Sequence, residues 1–286
     1  MTFRIRSVRA ILTALLLQLL GVLACSGAIA QAAQPFRFAI YGDTRDGHKA
    51  HRDVVARIME AKPVFVLQTG DLVHTGTDNS LWKTYDDITG EMRKRLPVYP
   101  ARGNHDVGGT GYEDRVTAPF TSGNKLWYSF NKGNSHFVAL AIDESNAFDV
   151  RSPQYVWLEA DLAAAKPKAR HIFVFFHVAP YSIGSHGSNL IVRKILCPLF
   201  EKFGVRAVFN GHDHIYYHTK REGIHYVVTG GGGAPLYYPD PKKGAIEGDK
   251  WERAHNYVLC DVNGDKVQMT VNRSDGTLIE RFSISR

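Results

Sequence analysis

Gly103-Asn104-His105-Asp106 closes a short apolar run, Pro97 to Arg102, and four other stretches repeat the arrangement. Gly42-Asp43 follows Phe36 to Tyr41, Gly70-Asp71-Leu72-Val73-His74 follows Val64 to Gln68, His177 follows Ile172 to Phe176, and Gly211-His212-Asp213-His214 follows Val205 to Asn210. Each run has the length and β-branched or aromatic content of a buried strand, and the segments between them are amphipathic. Strands alternating with helices make an α/β core, and in such cores the loops at the carboxyl ends of the strands carry the site. Five loops therefore converge on one place.

The loops bring together Asp, Asp, Asn, His and a His-x-His pair, a nitrogen and oxygen set without thiolate. Such donors suit Mn, Fe or Zn, and they outnumber the four ligands of a single structural zinc. Two ions sharing one carboxylate is the economical reading. In order and spacing the five motifs resemble those of the calcineurin-like metallophosphoesterase superfamily, which includes the purple acid phosphatases. The resemblance runs from Asp43 to His214. It implies a four-layer αββα sandwich, two facing mixed sheets flanked by helices, with the metal site at the strand carboxyl ends.

The same resemblance implies roles. Asp43 and His214 bind the first ion, Asp71 bridges, and Asn104, His177 and His212 bind the second. Many members have Asp-x-His at the first motif, whereas this chain has Asp43-Thr44-Arg45. Purple acid phosphatases lack that His too and use a Tyr three residues after the bridging Asp; here that position is His74, either the replacement ligand or an ordinary loop histidine. His105 is expected to protonate the leaving oxygen, with Asp106 orienting its imidazole. Arg45 either clamps a substrate phosphate through its planar donor fork or pairs with Asp46 or another carboxylate. The implied reaction is attack on a phosphate ester by a hydroxide bridging the two ions. Monoesters are favoured; a phosphodiesterase, or a non-catalytic metal- or phosphate-binding protein on the same scaffold, are the alternatives.

Composition is that of a globular protein, 286 residues with 44% hydrophobic and 22% charged, so a large core is available and disorder is excluded. The first thirty residues differ: Arg4, Arg6 and Arg9 precede an apolar run from Ala10 to Ala24, and Ala28-Ile29-Ala30 follows. This is the pattern of a secretory signal peptide with an A-x-A cleavage site, leaving residues 31–286 as one periplasmic or secreted phosphoesterase domain. Val22-Leu23-Ala24-Cys25 also resembles a lipobox, a lipid anchor at Cys25 being the lesser alternative. No later run is long enough for a membrane span. The net charge of +7 falls to +4 once the three leader arginines are set aside, because the leader holds no acid. The remaining basic residues are scattered, which argues against a nucleic-acid surface and leaves a mild field favouring a small anionic phosphate ester. Oligomeric state is open, as is pairing of Cys197 with Cys260.

Along the chain, helices are expected over Ala50 to Ala61, from the cap Asn79-Ser80 to Lys94, over Ser152-Pro153 to Ala165, and over Asn189 to Phe203. Val107 to Lys125, rich in glycine, reads as a long loop over the site. Asn131 to Asn134 reads as a hairpin turn. Beyond His214 the pattern is β, with turns at Glu222-Gly223, Asn263-Gly264 and Asp275-Gly276. Thr229 to Pro235 lacks the spacing of a phosphate-binding loop and reads as a flexible turn near the site. His48, His51, His186 and His218 lack motif support and read as surface or supporting residues, and His225 as a neighbour of the site.

Overall fold

The computed structural model describes residues 34–117, 122–143 and 149–284. The expected leader, its cleavage site and Cys25 lie outside the described residues. Among the described residues thirteen strands form two sheets. The first has the order β13(Leu278–Ile284), β12(Lys266–Arg273), β11(Asn256–Asn263), β1(Phe36–Tyr41), β2(Val66–Gln68), β3(Val98–Pro100). The second runs β10(Lys250–Glu252), β8(Tyr216–Arg221), β9(Ile224–Thr229), β7(Ala207–Asn210), β6(His171–Phe175), β5(Ser135–Ala139), β4(Tyr128–Lys132). In the first, β1, β2 and β3 are parallel; in the second, β5, β6, β7 and β9 are. Strands β10 and β8, like the β11 to β13 meander, pair antiparallel.

The sheets face each other across a core rich in aromatic side chains, Phe36, Phe38, Phe65, Phe137 and Phe173 among them. Their rings interlock: Phe38 stacks on Phe65 at 5.2 Å between centroids and meets Phe137 edge-on at 5.1 Å. Offset and edge contacts are the favoured arrangements for such rings. On the outer face of the first sheet, α1(His48–Glu60) and α2(Asn79–Arg95) bury Val54, Ile58 and Met92. On the outer face of the second, α3(Pro153–Ala165) and α4(Leu190–Phe203) bury Leu158, Leu162, Leu196 and Phe200. Helix, sheet, sheet, helix is the αββα sandwich expected.

Local chemistry explains most boundaries. Ser152 caps α3 by accepting from Tyr155 N, with Pro153 in the first turn, and Asn189 caps α4 by accepting from Ile191 N and Val192 N. The cap of α2 is Asp78, one residue earlier than expected, because its carboxylate accepts from Ser80 N. Gly204 ends α4 in the left-handed conformation that glycine adopts without strain. Strand β10 was not anticipated: three residues are too few to show a period. Cys197 and Cys260 are free and buried, one on the inner face of α4 and one between the sheets, so they do not pair. Among the described residues no helix is long and apolar enough to cross a membrane.

Candidate metal centre

Every expected loop leaves the carboxyl end of its strand, β1, β2 and β3 from one sheet and β6 and β7 from the other, so both sheets feed one site. The turns are tight enough to force rare backbone. Asp43, Asp71 and His212 have φ of 57°, 54° and 69°, the left-handed region that L residues seldom occupy. Non-glycine residues held there cost on the order of 1–3 kcal/mol each and persist where the surroundings over-determine them. The adjoining glycines make the approach possible. A Cβ on Gly103 would lie 2.2 Å from Asp71 Oδ1, and one on Gly211 2.2 Å from Asp43 Oδ2.

Asp43, Asp71 and His177 are buried, with one ligand atom of each within 4.8 Å of the others. His177 Nε2 lies 3.3 Å from Asp71 Oδ1, 3.0 Å from Asn104 Oδ1 and 3.1 Å from His212 Nδ1. His214 Nε2 lies 3.6 Å from Asp43 Oδ1. The outward nitrogens are pinned: His177 Nδ1 donates to the Thr69 carbonyl at 2.9 Å, and His214 Nδ1 to the Pro235 carbonyl at 2.7 Å. A carbonyl only accepts, so each pinned nitrogen carries the proton and each Nε2 turns a lone pair inward. Burial pushes His214 down to about 4, and burial with the neighbouring imidazoles pushes His212 down to about 2, which keeps both neutral. Burial and the nearby Asp71 raise Asp43 well above the usual carboxylate range.

This is a concentration of buried acceptors. Asp43 Oδ2 is buried with no hydrogen-bond partner among the described residues, although Oδ1 accepts from His212 N at 2.9 Å. Such an arrangement is costly unless a cation is shared among the groups, and the donor types fit metal ions.

His105 sits at the edge of the cluster. Its Nδ1 donates to the His74 carbonyl at 2.6 Å, leaving Nε2 facing Asp71 Oδ2 at 3.9 Å. The expected contact from Asp106 is not made. Asp106 is buried and accepts from Gly103 N at 2.8 Å, Leu72 N at 2.8 Å and Val73 N at 3.3 Å, binding the second motif loop to the third. A carboxylate that short, turned back into a three-residue 3₁₀ turn, meets backbone amides before it can reach the neighbouring imidazole. His74 is not gathered into the cluster either. Its side chain is half-exposed and its Nδ1 lies 3.0 Å from Asp46 Oδ2. Arg45 pairs with the same Asp46 oxygen at 2.8 Å, while its Nε lies 3.5 Å from Asp71 Oδ2.

Other contacts have no mark in the sequence. The His186 ring lies tilted against His212 with centroids 3.9 Å apart, and the Tyr237 ring stacks on His214 at 4.1 Å. Asp213, between the two motif histidines, accepts from Ser182 Oγ, His186 N and Gly187 N, and so holds the segment that carries His186. No fixed spacing links residue 186 or 237 to the motifs; only a position inside Gly-His-Asp-His drew attention to Asp213. The glycine-rich segment is buried rather than a flexible turn: Gly232 N donates to Gly42 O and Ala234 N to Asp43 O, bracing the first motif from behind. His225 lies away from the site, against His218 at 2.9 Å.

Residues 36–216 match the calcineurin-like phosphoesterase family. The chain belongs to that family. Among similar proteins in the family, purple acid phosphatase 22 of Arabidopsis thaliana is 29% identical over 202 residues, covering 65% of this chain and 46% of the relative. The tartrate-resistant acid phosphatase type 5 of Oryctolagus cuniculus is 26% identical over 245 residues, 71% of this chain and 75% of that one. The solved structure of the purple acid phosphatase PPD1 from yellow lupin (Lupinus luteus) seeds superposes with a TM-score of 0.77 at 20% identity, covering 89% of this chain and 54% of that one. The chain spans about half the length of the first plant relatives it matches.

Proposed function

We propose that this chain is an exported phosphoesterase that hydrolyses phosphate monoesters at a two-ion centre. The observation that carries the proposal is the buried Asp43, Asp71 and His177 cluster, lined with lone pairs and fed by loops from both sheets. Asp43 and His214 would hold a first ion, Asp71 would be shared, and Asn104, His177 and His212 would hold a second. When bound, two Mn, Fe or Zn ions supply positive charge and Lewis acidity toward a phosphoryl group. His105, its Nδ1 proton committed to the His74 carbonyl, would as an imidazolium offer at Nε2 the proton that a leaving alkoxide needs. Arg45 presents a planar guanidinium beside Asp71, where it can donate to a phosphate oxygen.

The preference for monoesters rests on the similarity to proteins named acid phosphatases. Export rests on Arg4, Arg6 and Arg9 before an apolar stretch and an A-x-A site. The test is hydrolysis of p-nitrophenyl phosphate against bis-p-nitrophenyl phosphate by protein supplied with Mn, Fe or Zn, with Asp71→Ala alongside. Faster turnover of the monoester, lost in the variant, is expected. Faster turnover of the diester overturns the monoester assignment, and no turnover of either by the metal-loaded protein counts against catalysis.

A further inference from the structure

We propose that Arg45 makes the two ion positions unequal: the ion held by Asn104, His177 and His212 binds tightly, whereas the ion beside Asp43 and His214 binds weakly and is stabilised by an anion. This rests on the two-ion reading above. The donors are unevenly shared. Around His177 Nε2, within 3.0–3.3 Å, lie Asp71 Oδ1, Asn104 Oδ1 and His212 Nδ1, four converging donors in all. On the other side stand Asp43, the second oxygen of Asp71 and His214 Nε2, with His105 Nε2 at 3.9 Å from that Asp71 oxygen and the Tyr237 ring packed on His214.

What faces that side is a cation. Arg45 Nε is buried, has no hydrogen-bond partner among the described residues, and lies 3.5 Å from Asp71 Oδ2. A guanidinium keeps its proton at any working pH, so this charge cannot be titrated away to make room for an ion. Asp46 fixes the arrangement. Its backbone is in the left-handed region at φ 69°, and its Oδ2 takes both Arg45 Nη1 at 2.8 Å and His74 Nδ1 at 3.0 Å. One carboxylate thus holds Arg45 toward the site and His74 away from it.

A permanent positive charge beside a divalent ion lowers its affinity by at least about tenfold even at the effective dielectric of a partly solvated site. A phosphate bound between them is attracted by both, so inorganic phosphate and the weaker ion raise each other's affinity by a common factor.

The test is Mn2+ titration of the metal-free protein by calorimetry, with metal content after dialysis as a second readout. Wild type is expected to show two steps separated by at least about a hundredfold, the weaker tightening when inorganic phosphate is present. Arg45→Ala should tighten the weaker step at least about tenfold and leave the tighter one alone, while Arg45→Lys, which keeps the charge, should preserve the separation. Two equal steps in wild type overturn the inference alone, as does a weaker step that Arg45→Ala leaves unchanged or weakens further. Wild type that takes up no ion, or Asp71→Ala that takes up as much as wild type, overturns the two-ion reading and the inference with it.

Discussion

His105 is the residue whose surroundings separate a proton donor from a metal ligand. Its Nε2 is 3.9 Å from Asp71 Oδ2, at the edge of the cluster, and its Nδ1 donates to a backbone carbonyl, so the imidazolium form is the one that offers an Nε2 proton. Replacing it removes a proton without removing a ligand. His105→Ala is therefore expected to keep its full metal content by elemental analysis and to lose about 10²- to 10⁴-fold in kcat, the range of general-acid catalysis. The loss should be greatest for esters with poor leaving groups. Equal losses for good and poor leaving groups would remove the donor role. Asp106, two residues from Asn104, reads as a similar partner in the sequence. Its three amide contacts make it a brace between loops instead, and that assignment depends on where Leu72 and Val73 lie in space.

At the scale of elements, most of what places the site was legible. The helix cap Ser152 and the helix start near Asn189 follow from short polar side chains before amphipathic runs, and the strands from apolar runs ending in Gly-Asp or Gly-Asn-His. Asn189 matters beyond its helix, because α4 starts just after the segment that Asp213 holds and that carries His186. Asn189→Ala should cost about 1 kcal/mol, the usual value of a lost N-cap. Urea unfolding would show it as a lower midpoint with unchanged slope, and hydrogen exchange should rise first at Ile191 and Val192. An unchanged midpoint would mean that packing of Leu196 and Phe200 carries the helix end. What the elements did not disclose was the stretch from Ala234 to Lys250. It lacks periodicity, yet Asp240 N donates to Ile183 O and Lys243 Nζ to Gly184 O, so it ties down the His186 segment.

For the whole molecule, the buried histidines give a pH dependence that does not require the site. His51 lies under the first sheet beside Tyr41, and burial lowers its pKa from 6.5 to about 3. His225, packed on His218 and Phe282, is lowered to about 4, also by burial. For both, the unfolded chain binds a proton at a higher pH than the folded one. Their contribution is therefore present in full above about pH 6.5 and is lost as the pH falls toward the folded values, by up to about 1.4 kcal/mol per pH unit for each group. Metal-free protein should be clearly less stable to urea at pH 5 than at pH 7, and His51→Gln should lose less than wild type over the same interval. Equal losses would show that His51 is not buried neutral.

The order and spacing of five short motifs determined the family, the two-sheet architecture and the donor types, because strand ends are set by local patterns of apolar residues and the donors sit at those ends. Tertiary structure alone decided which side chains face each other. It turned Asp106 and Asp213 into braces, brought His186 and Tyr237 onto the ring faces of His212 and His214, and set Arg45 against Asp71 while holding His74 at Asp46. Those contacts join residues from different loops, and the direction of a side chain on a loop depends on a backbone, such as the left-handed turn at Asp46, that only the packed loops around it determine.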